Sequence, residues 1–134
     1  MTTKNLDELN DMMMPFAKLL GIKLTRAEAD LFEAEMDVRD EFCTLPAILH
    51  GGAMMAFADT LGGIGAFANL REDQSATVTV ESKTNFIGAA PTGTKVIGRC
   101  TPIHKGRRTQ VWQTRVETED GKLVGVVTQT QLMT

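Results

Sequence analysis

The chain lacks the apolar run that a membrane span requires. No stretch of its 134 residues that is free of Gly, Asn and charge approaches the roughly 20 needed for a bilayer-crossing helix, so it is not expected to span a membrane. Metal ligands are equally scarce. Cys43 and Cys100 are the only cysteines and have no CxxC spacing, and His50 and His104 are the only imidazoles, too few for a structural zinc site. The two thiols read as reduced packing residues, and no metal or cofactor is expected. Basic residues are scattered in a chain of formal net charge -3, so the electrostatic footprint of a nucleic-acid binder is missing. The first ten residues carry Asp7 and Glu8 in place of the basic-then-apolar pattern of an export leader, which makes the cytoplasm the expected location. There is no internal repeat and no low-complexity tract.

What is present is ordinary for a soluble globule: 43% hydrophobic and 23% charged residues, in a length typical of one domain. Residues 1–134 are therefore read as one domain, opening with an N-terminal helical segment over 1–20. In that segment Leu6, Leu9, Met13, Phe16, Leu19 and Leu20 recur at helical steps, with Pro15 splitting or kinking the helix and Gly21 closing it. The run Met12-Met13-Met14 reads as adaptable packing, with a flexible ligand-binding surface as the alternative. Phe32, Ala34, Met36 and Val38 alternate with acids as a half-buried strand does, and Ile22 to Arg26 is the expected hairpin partner.

From Phe42 to Leu70 the chain turns apolar and small, and residues 51–69 read as one long helix. Because it is hydrophobic on every side, it is expected to be covered all round. Gly62, Gly63 and Gly65 each cost a helix about 1 kcal/mol relative to alanine, so something must pack very close there, a sheet or a partner helix. After Gln74 the strand pattern returns. Ala76, Val78 and Val80 alternate with Thr77, Thr79 and Glu81 and lead to Phe86. Three more strands follow over 95–104, 109–119 and 123–133, with turns at Pro91-Thr92-Gly93, His104-Lys105-Gly106-Arg107 and Glu119-Asp120-Gly121-Lys122. The simplest architecture for this order is an α+β fold in which a curved antiparallel sheet wraps one central helix.

Between Glu41 and Arg71 the only formally charged side chain is Asp59, in the middle of that apolar helix. Desolvating an unpaired carboxylate costs several kcal/mol, so some group must compensate. One reading is a structural acid satisfied by Thr60 or by a hydroxyl on a strand. The other is a catalytic carboxylate whose pKa rises in apolar surroundings, acting as general base or nucleophile. His50-Gly51-Gly52 adds a second component at the helix start, where unpaired amides and the helix dipole favour negative charge such as a developing oxyanion. Asp59 lies eight residues beyond Gly51, roughly 12 Å along the axis at 1.5 Å per residue, whereas a reacting carbonyl needs both groups within about 3 to 3.5 Å. One helix cannot provide that. A two-fold dimer with antiparallel central helices can, making two equivalent sites.

Three stretches carry a family resemblance: Ile48-Leu49-His50-Gly51-Gly52 through Ala58-Asp59-Thr60 with Gly62-Gly63, then residues 79–86, then residues 104–109 with Val111-Trp112 and residues 119–123. From about Pro15 onward the chain resembles the hotdog-fold thioesterases of the phenylacetate-degradation type, within the 4-hydroxybenzoyl-CoA thioesterase superfamily. The resemblance implies hydrolysis of acyl-CoA in a homo-oligomer, usually a dimer of dimers. It implies Asp59 as nucleophile or general base, and Gly51 donating its amide to the thioester oxygen from the other subunit. It also implies that Thr79 helps position the water or the carboxylate. The chain departs from the pattern at Thr44, where the family commonly has Asn or Gln contacting the thioester, and at Gly63, where some relatives carry a hydroxyl. His50 is expected to orient the loop, and His104 to be structural.

The basic group Lys105, Arg107 and Arg108 reads either as a binder of coenzyme A phosphates or as a solvated turn. Trp112 reads as core or interface. Met54, Met55, Phe57 and Phe67 are candidates to line an acyl tunnel. Two other functions remain in competition with hydrolysis: a hydratase or dehydratase using His50 and Asp59, and a non-catalytic acyl-CoA-binding module.

Overall fold

The structure is a computed structural model and describes residues 5–134; the first four residues of the expected 1–20 segment lie outside it. Helix α1 (Leu6–Asp11) starts at Asn5, whose side chain accepts from the Glu8 amide while Glu8 reaches back to the Asn5 amide. This reciprocal cap fixes the first turn. Helix α2 (Pro15–Leu20) begins at Pro15 and ends at Gly21, whose φ of 72° is left-handed. Proline thus opens a second helix rather than kinking a single one, since at the first helical position it has no hydrogen bond to lose.

Strands β1 (Lys23–Glu28) and β2 (Leu31–Asp37) form the expected hairpin. A short 3-10 turn (Asp40–Phe42) then leads into a two-stranded clip, β3 (Cys43–Thr44) against β4 (Ile48–Leu49). The central helix α3 runs Gly51–Ala68 with Asn69 as its C-cap. Four long strands follow: β5 (Thr77–Phe86), β6 (Lys95–Lys105), β7 (Thr109–Thr118) and β8 (Leu123–Met133). All pairings in the six-stranded sheet are antiparallel, in the order β1-β2-β6-β7-β8-β5. α3 lies against one face of this sheet, touching β2, β5, β6, β7 and β8. Among the described residues, no helix is long and apolar enough to cross a membrane.

Sheet side chains explain two of the helix glycines. A Cβ on Gly65 would come 3.0 Å from the Trp112 ring, and one on Gly62 only 2.2 Å from the Gln129 amide. Trp112 is fully buried, packs edge-on to Phe32 with centroids 5.9 Å apart, and donates to Gln110 Oε1 at 2.8 Å. It is core, not a ligand platform.

The expectation of full coverage fails in the protomer. The central helix is not covered all round: Gly52, Asp59 and Phe67 are exposed, and Ala56 and Gly63 are half-buried. These residues, three or four apart, form one uncovered stripe along α3. The valines of β5 face away from the helix. Val78 and Val80 are 53% and 55% exposed, while Thr77 and Thr79 turn toward the helix. By period two they stand on the face of the sheet turned away from α3, which no helix among the described residues covers, and the polar phase of β5 is the one given to the site.

Candidate active site

The start of α3 is held from several directions. His50 is the N-cap, and its Nδ1 accepts from the Gly52 amide at 2.8 Å. Its own amide donates to the Phe42 carbonyl at 2.8 Å, and the Leu49 amide donates to that of Ala90 at 2.8 Å. The preceding loop contains Ala47 at φ 112°, a left-handed conformation costing of order 1–3 kcal/mol for a residue with a Cβ. Hydrogen bonds at both ends hold it: Ala47 N to Thr44 O at 2.9 Å, and Thr92 N to Ala47 O at 3.0 Å. The Ala53 and Met54 amides both donate to the His50 carbonyl, at 3.0 and 3.1 Å. Of the first four amides of α3, only that of Gly51 has no acceptor among the described residues. The Phe86 ring packs over it, with one edge 2.8 Å from where a Cβ would stand. Thr44 is exposed and pairs with Ile48 across the clip beside this helix end.

Two turns further along, Asp59 is exposed on the uncovered stripe. The expected burial of its carboxylate is therefore not met within one protomer, because nothing in the protomer covers this side of α3. Its contacts are nonetheless specific. Thr79 Oγ1 donates to Asp59 Oδ1 at 3.0 Å, and Gln129 Nε2 donates to the same oxygen at 3.2 Å. Gln131 Nε2 donates to Thr79 Oγ1 at 2.5 Å, and Thr77 Oγ1 donates to Gln131 Oε1 at 2.9 Å. The chain of donors thus runs from β5 and β8 into one carboxylate oxygen, leaving Oδ2 without a donor among the described residues. A strand hydroxyl does satisfy the acid, while Thr60 spends its own hydroxyl on the Ala56 carbonyl at 2.8 Å.

Gln129 and Gln131 are buried, at 0% and 1% exposure, and sequence reasoning missed both. In the polar run Thr128-Gln129-Thr130-Gln131 the inward phase is hidden, since both faces look hydrophilic. The available signal was that Val127 and Met133 stand in phase with the two glutamines at period two.

Asp59 lines a 260 Å³ cavity with Met14, Phe16, Thr60, Gly63, Thr79 and Gln131. Next to it lies a 360 Å³ cavity walled by Met12, Met13, Ile64 and Phe67; the two share Met14, Gly63 and Thr77. The methionine run therefore does both: Met13 packs in the core at 5% exposure, and all three line this cavity. Met54 and Phe57, expected as tunnel residues, are 3% and 0% exposed and belong to the core between helix and sheet, and Met55 lines neither cavity. Phe67 alone of the four faces the space.

Lys105 is ion-paired with Asp30 and is 3.4 Å from Asn69 Oδ1, so its charge is already engaged within the chain. Arg107 and Arg108 are exposed, and their guanidinium groups have no partner among the described residues. His104 is exposed near the end of β6, with its ring against Gly106. Gly51, His50 and Thr44 cluster at the helix start, Asp59 and Thr79 meet at its middle, and the basic turn lies beyond its C-terminal end.

Comparison with known proteins shows the family. A family model described as the thioesterase superfamily matches residues 47–125. The chain is 39% identical over 104 residues to the proofreading thioesterase EntH of Klebsiella pneumoniae, covering 77% of this chain and 74% of that one. It is also similar to the crystal structure of thioesterase HI1161 from Haemophilus influenzae. That similarity has a TM-score of 0.92 and 32% identity, and covers 99% of this chain and 92% of the other. A variant of the phenylacetic acid degradation protein PaaI from Thermus thermophilus shares the fold, with a TM-score of 0.81 at 24% identity over 89% of this chain and 98% of that one.

Proposed function

The chain belongs to the thioesterase superfamily and has its hotdog fold, and from that membership we propose that it hydrolyses acyl-CoA thioesters to free acid and coenzyme A. The observation that carries the residue-level reading is the Asp59 carboxylate, held through one oxygen by Thr79 and Gln129 and open through the other to a cavity. Water, activated by Asp59 as general base, adds to the acyl carbon; the C–S bond breaks, and the departing thiolate takes up a proton. If Asp59 attacks instead, an acyl-enzyme anhydride forms first, and water then releases the acid. Either route needs no metal or cofactor, coenzyme A being part of the substrate.

The oxyanion that develops is held by the unpaired Gly51 amide at the positive end of α3, in the orientation His50 fixes. Thr44, beside that end, supplies a hydroxyl toward the thioester. Gly51 and Asp59 are about eight helical rises apart, roughly 12 Å, so each site uses Gly51 of one protomer and Asp59 of another. The uncovered stripe Gly52, Ala56, Asp59, Gly63 and Phe67 supports this, since its small residues allow a second α3 to lie close and desolvate the acid. The free edge of β5, with Val78 and Val80 outward, supports the same pairing. The assembly is a dimer, expected to pair again into a tetramer, in the cytoplasm. Arg107 and Arg108 are the stronger candidates for the coenzyme A phosphates, Lys105 being engaged by Asp30.

The competing reading of Asp59 as a purely structural acid draws on its two donors. Against it stand its exposure and the free Oδ2, which a structural acid does not require. Incubation with a panel of short, medium and aryl acyl-CoAs and a thiol reagent tests the activity, and Asp59→Asn tests the residue. The expected result is turnover in the native protein and a loss of about a hundredfold or more in the variant, with folding retained. Thiol release no faster than the blank across the panel would reject the activity; an unaffected variant would assign the chemistry to another group.

A further inference from the structure

We infer that the 360 Å³ cavity beside Asp59 is the acyl pocket, and that it selects a medium-length aliphatic acyl group over a hydroxylated aryl one. This rests on the thioesterase reading of the site. The cavity adjoins the carboxylate's own, the two sharing Met14, Gly63 and Thr77 as walls. A chain whose carbonyl sits at Asp59 therefore has this apolar space as its nearest neighbour.

Its walls decide the chemistry. Leu9, Met12, Met13, Ile64 and Phe67 offer no hydrogen bond to a polar substituent. The one hydroxyl among the described wall residues, on Thr77, already donates to Gln131 Oε1 at 2.9 Å and lies 3.4 Å from Met133 Sδ. A phenolic group carried into this space would give up water and find no partner, a loss of about tenfold or more in kcat/KM. Three consecutive methionines make a wall that refits around a flexible chain, because the thioether side chain is unbranched and polarisable. Among the described residues Phe67 is the single aromatic ring on this cavity's wall, Phe16 standing on the carboxylate's cavity instead, so no pair of rings faces each other across the acyl space. The volume lies near the lower end of the roughly 300–1,000 Å³ of small-molecule pockets, which suits a medium chain better than a long one.

The α1–α2 connection thereby becomes the specificity element. Met12 and Met14 are 52% and 44% exposed, so they can be replaced without opening the core. Steady-state kinetics with acetyl-, octanoyl-, palmitoyl-, benzoyl- and hydroxybenzoyl-CoA test the inference in the native protein, in Met12→Ser and in Phe67→Ala. Octanoyl-CoA is expected to have the highest kcat/KM, at least tenfold above hydroxybenzoyl-CoA, and both variants are expected to lower the octanoyl-to-acetyl ratio at least fivefold. Preference for the hydroxylated aryl or the long-chain substrate, or an octanoyl-to-acetyl ratio that neither substitution moves, would overturn the pocket assignment while leaving the thioesterase standing. No turnover of any member of the panel would remove both.

Discussion

The Thr79 hydroxyl donates to Asp59 Oδ1 at 3.0 Å while accepting from Gln131 Nε2 at 2.5 Å, which couples an edge strand to the middle of the central helix. The threonine orients the carboxylate, and the buried glutamine fixes which way the hydroxyl hydrogen points. Thr79→Val removes both functions with little change in shape. It leaves the Gln131 amide without an acceptor, which is expected to cost about 1–3 kcal/mol of stability and to lower kcat roughly tenfold. Thr79→Ser restores most of both. Denaturant unfolding alongside kcat with octanoyl-CoA checks this; a valine variant of native kcat would show that Asp59 needs no such support.

Gly62 faces Gln129 as closely as any glycine in the helix faces a neighbour. Alanine gains about 1 kcal/mol of helix propensity, but its Cβ would stand 2.2 Å from the Gln129 amide. Gln129 is fully buried and cannot swing aside, and overpacking of this kind costs typically 1–3 kcal/mol. The clash wins or at best cancels the gain. Gly62→Ala is expected to lower Tm and to reduce kcat by moving one of Asp59's two donors, read by thermal melting and initial rates. A higher Tm with full activity would mean that the glutamine is not held where it stands.

Much of this arrangement was legible in the sequence. The strands announced themselves by alternation, the turns by glycine and proline, and Asp59 by being the single charge in a long apolar run. The glycines of α3 implied a close neighbour, and two proved to face Trp112 and Gln129. What could not be read was which side of each strand faces the helix when both sides are polar, as at Gln129 and Gln131. The edge position of β5 was also hidden, because alternation does not tell an edge strand from a central one. Val78 and Val80, the apolar phase of β5, are exposed. Burial of Asp59 was inferred from the helix alone, and the protomer leaves that side of the helix open.

Cys100 gives a pH signature separate from the site. Its thiol is fully buried, and desolvation pushes its pKa from 9.0 up to about 12. The folded protein disfavours the thiolate, whereas the unfolded chain ionises at the ordinary value. The stabilising contribution is therefore complete below pH 9 and declines as the pH rises toward 12. Unfolding free energy measured across that interval is expected to fall less steeply in Cys100→Val than in the native protein. Identical slopes would show that the thiol is accessible to water.

Arg107 and Arg108 are the free cations of the β6–β7 turn. If they hold coenzyme A phosphates, replacing both with alanine raises KM about three- to tenfold with kcat little altered, and added salt narrows the difference from the native enzyme. An unchanged KM at low ionic strength would return the turn to a solvated role.

The central claim is that each site is built from Gly51 of one protomer and Asp59 of another. Gly51→Pro removes the amide hydrogen at a helical position where the backbone tolerates proline, the exposed Phe86 ring having to turn aside for the added side chain, and Asp59→Asn removes the base, so each protein alone is expected to be nearly inactive. Refolding the two together in equal amounts gives dimers of which half are mixed, and each mixed dimer contains one intact site. The account predicts recovery of about a quarter of native activity. A mixture as inactive as its components, with mixed dimers demonstrated to be present, would contradict it.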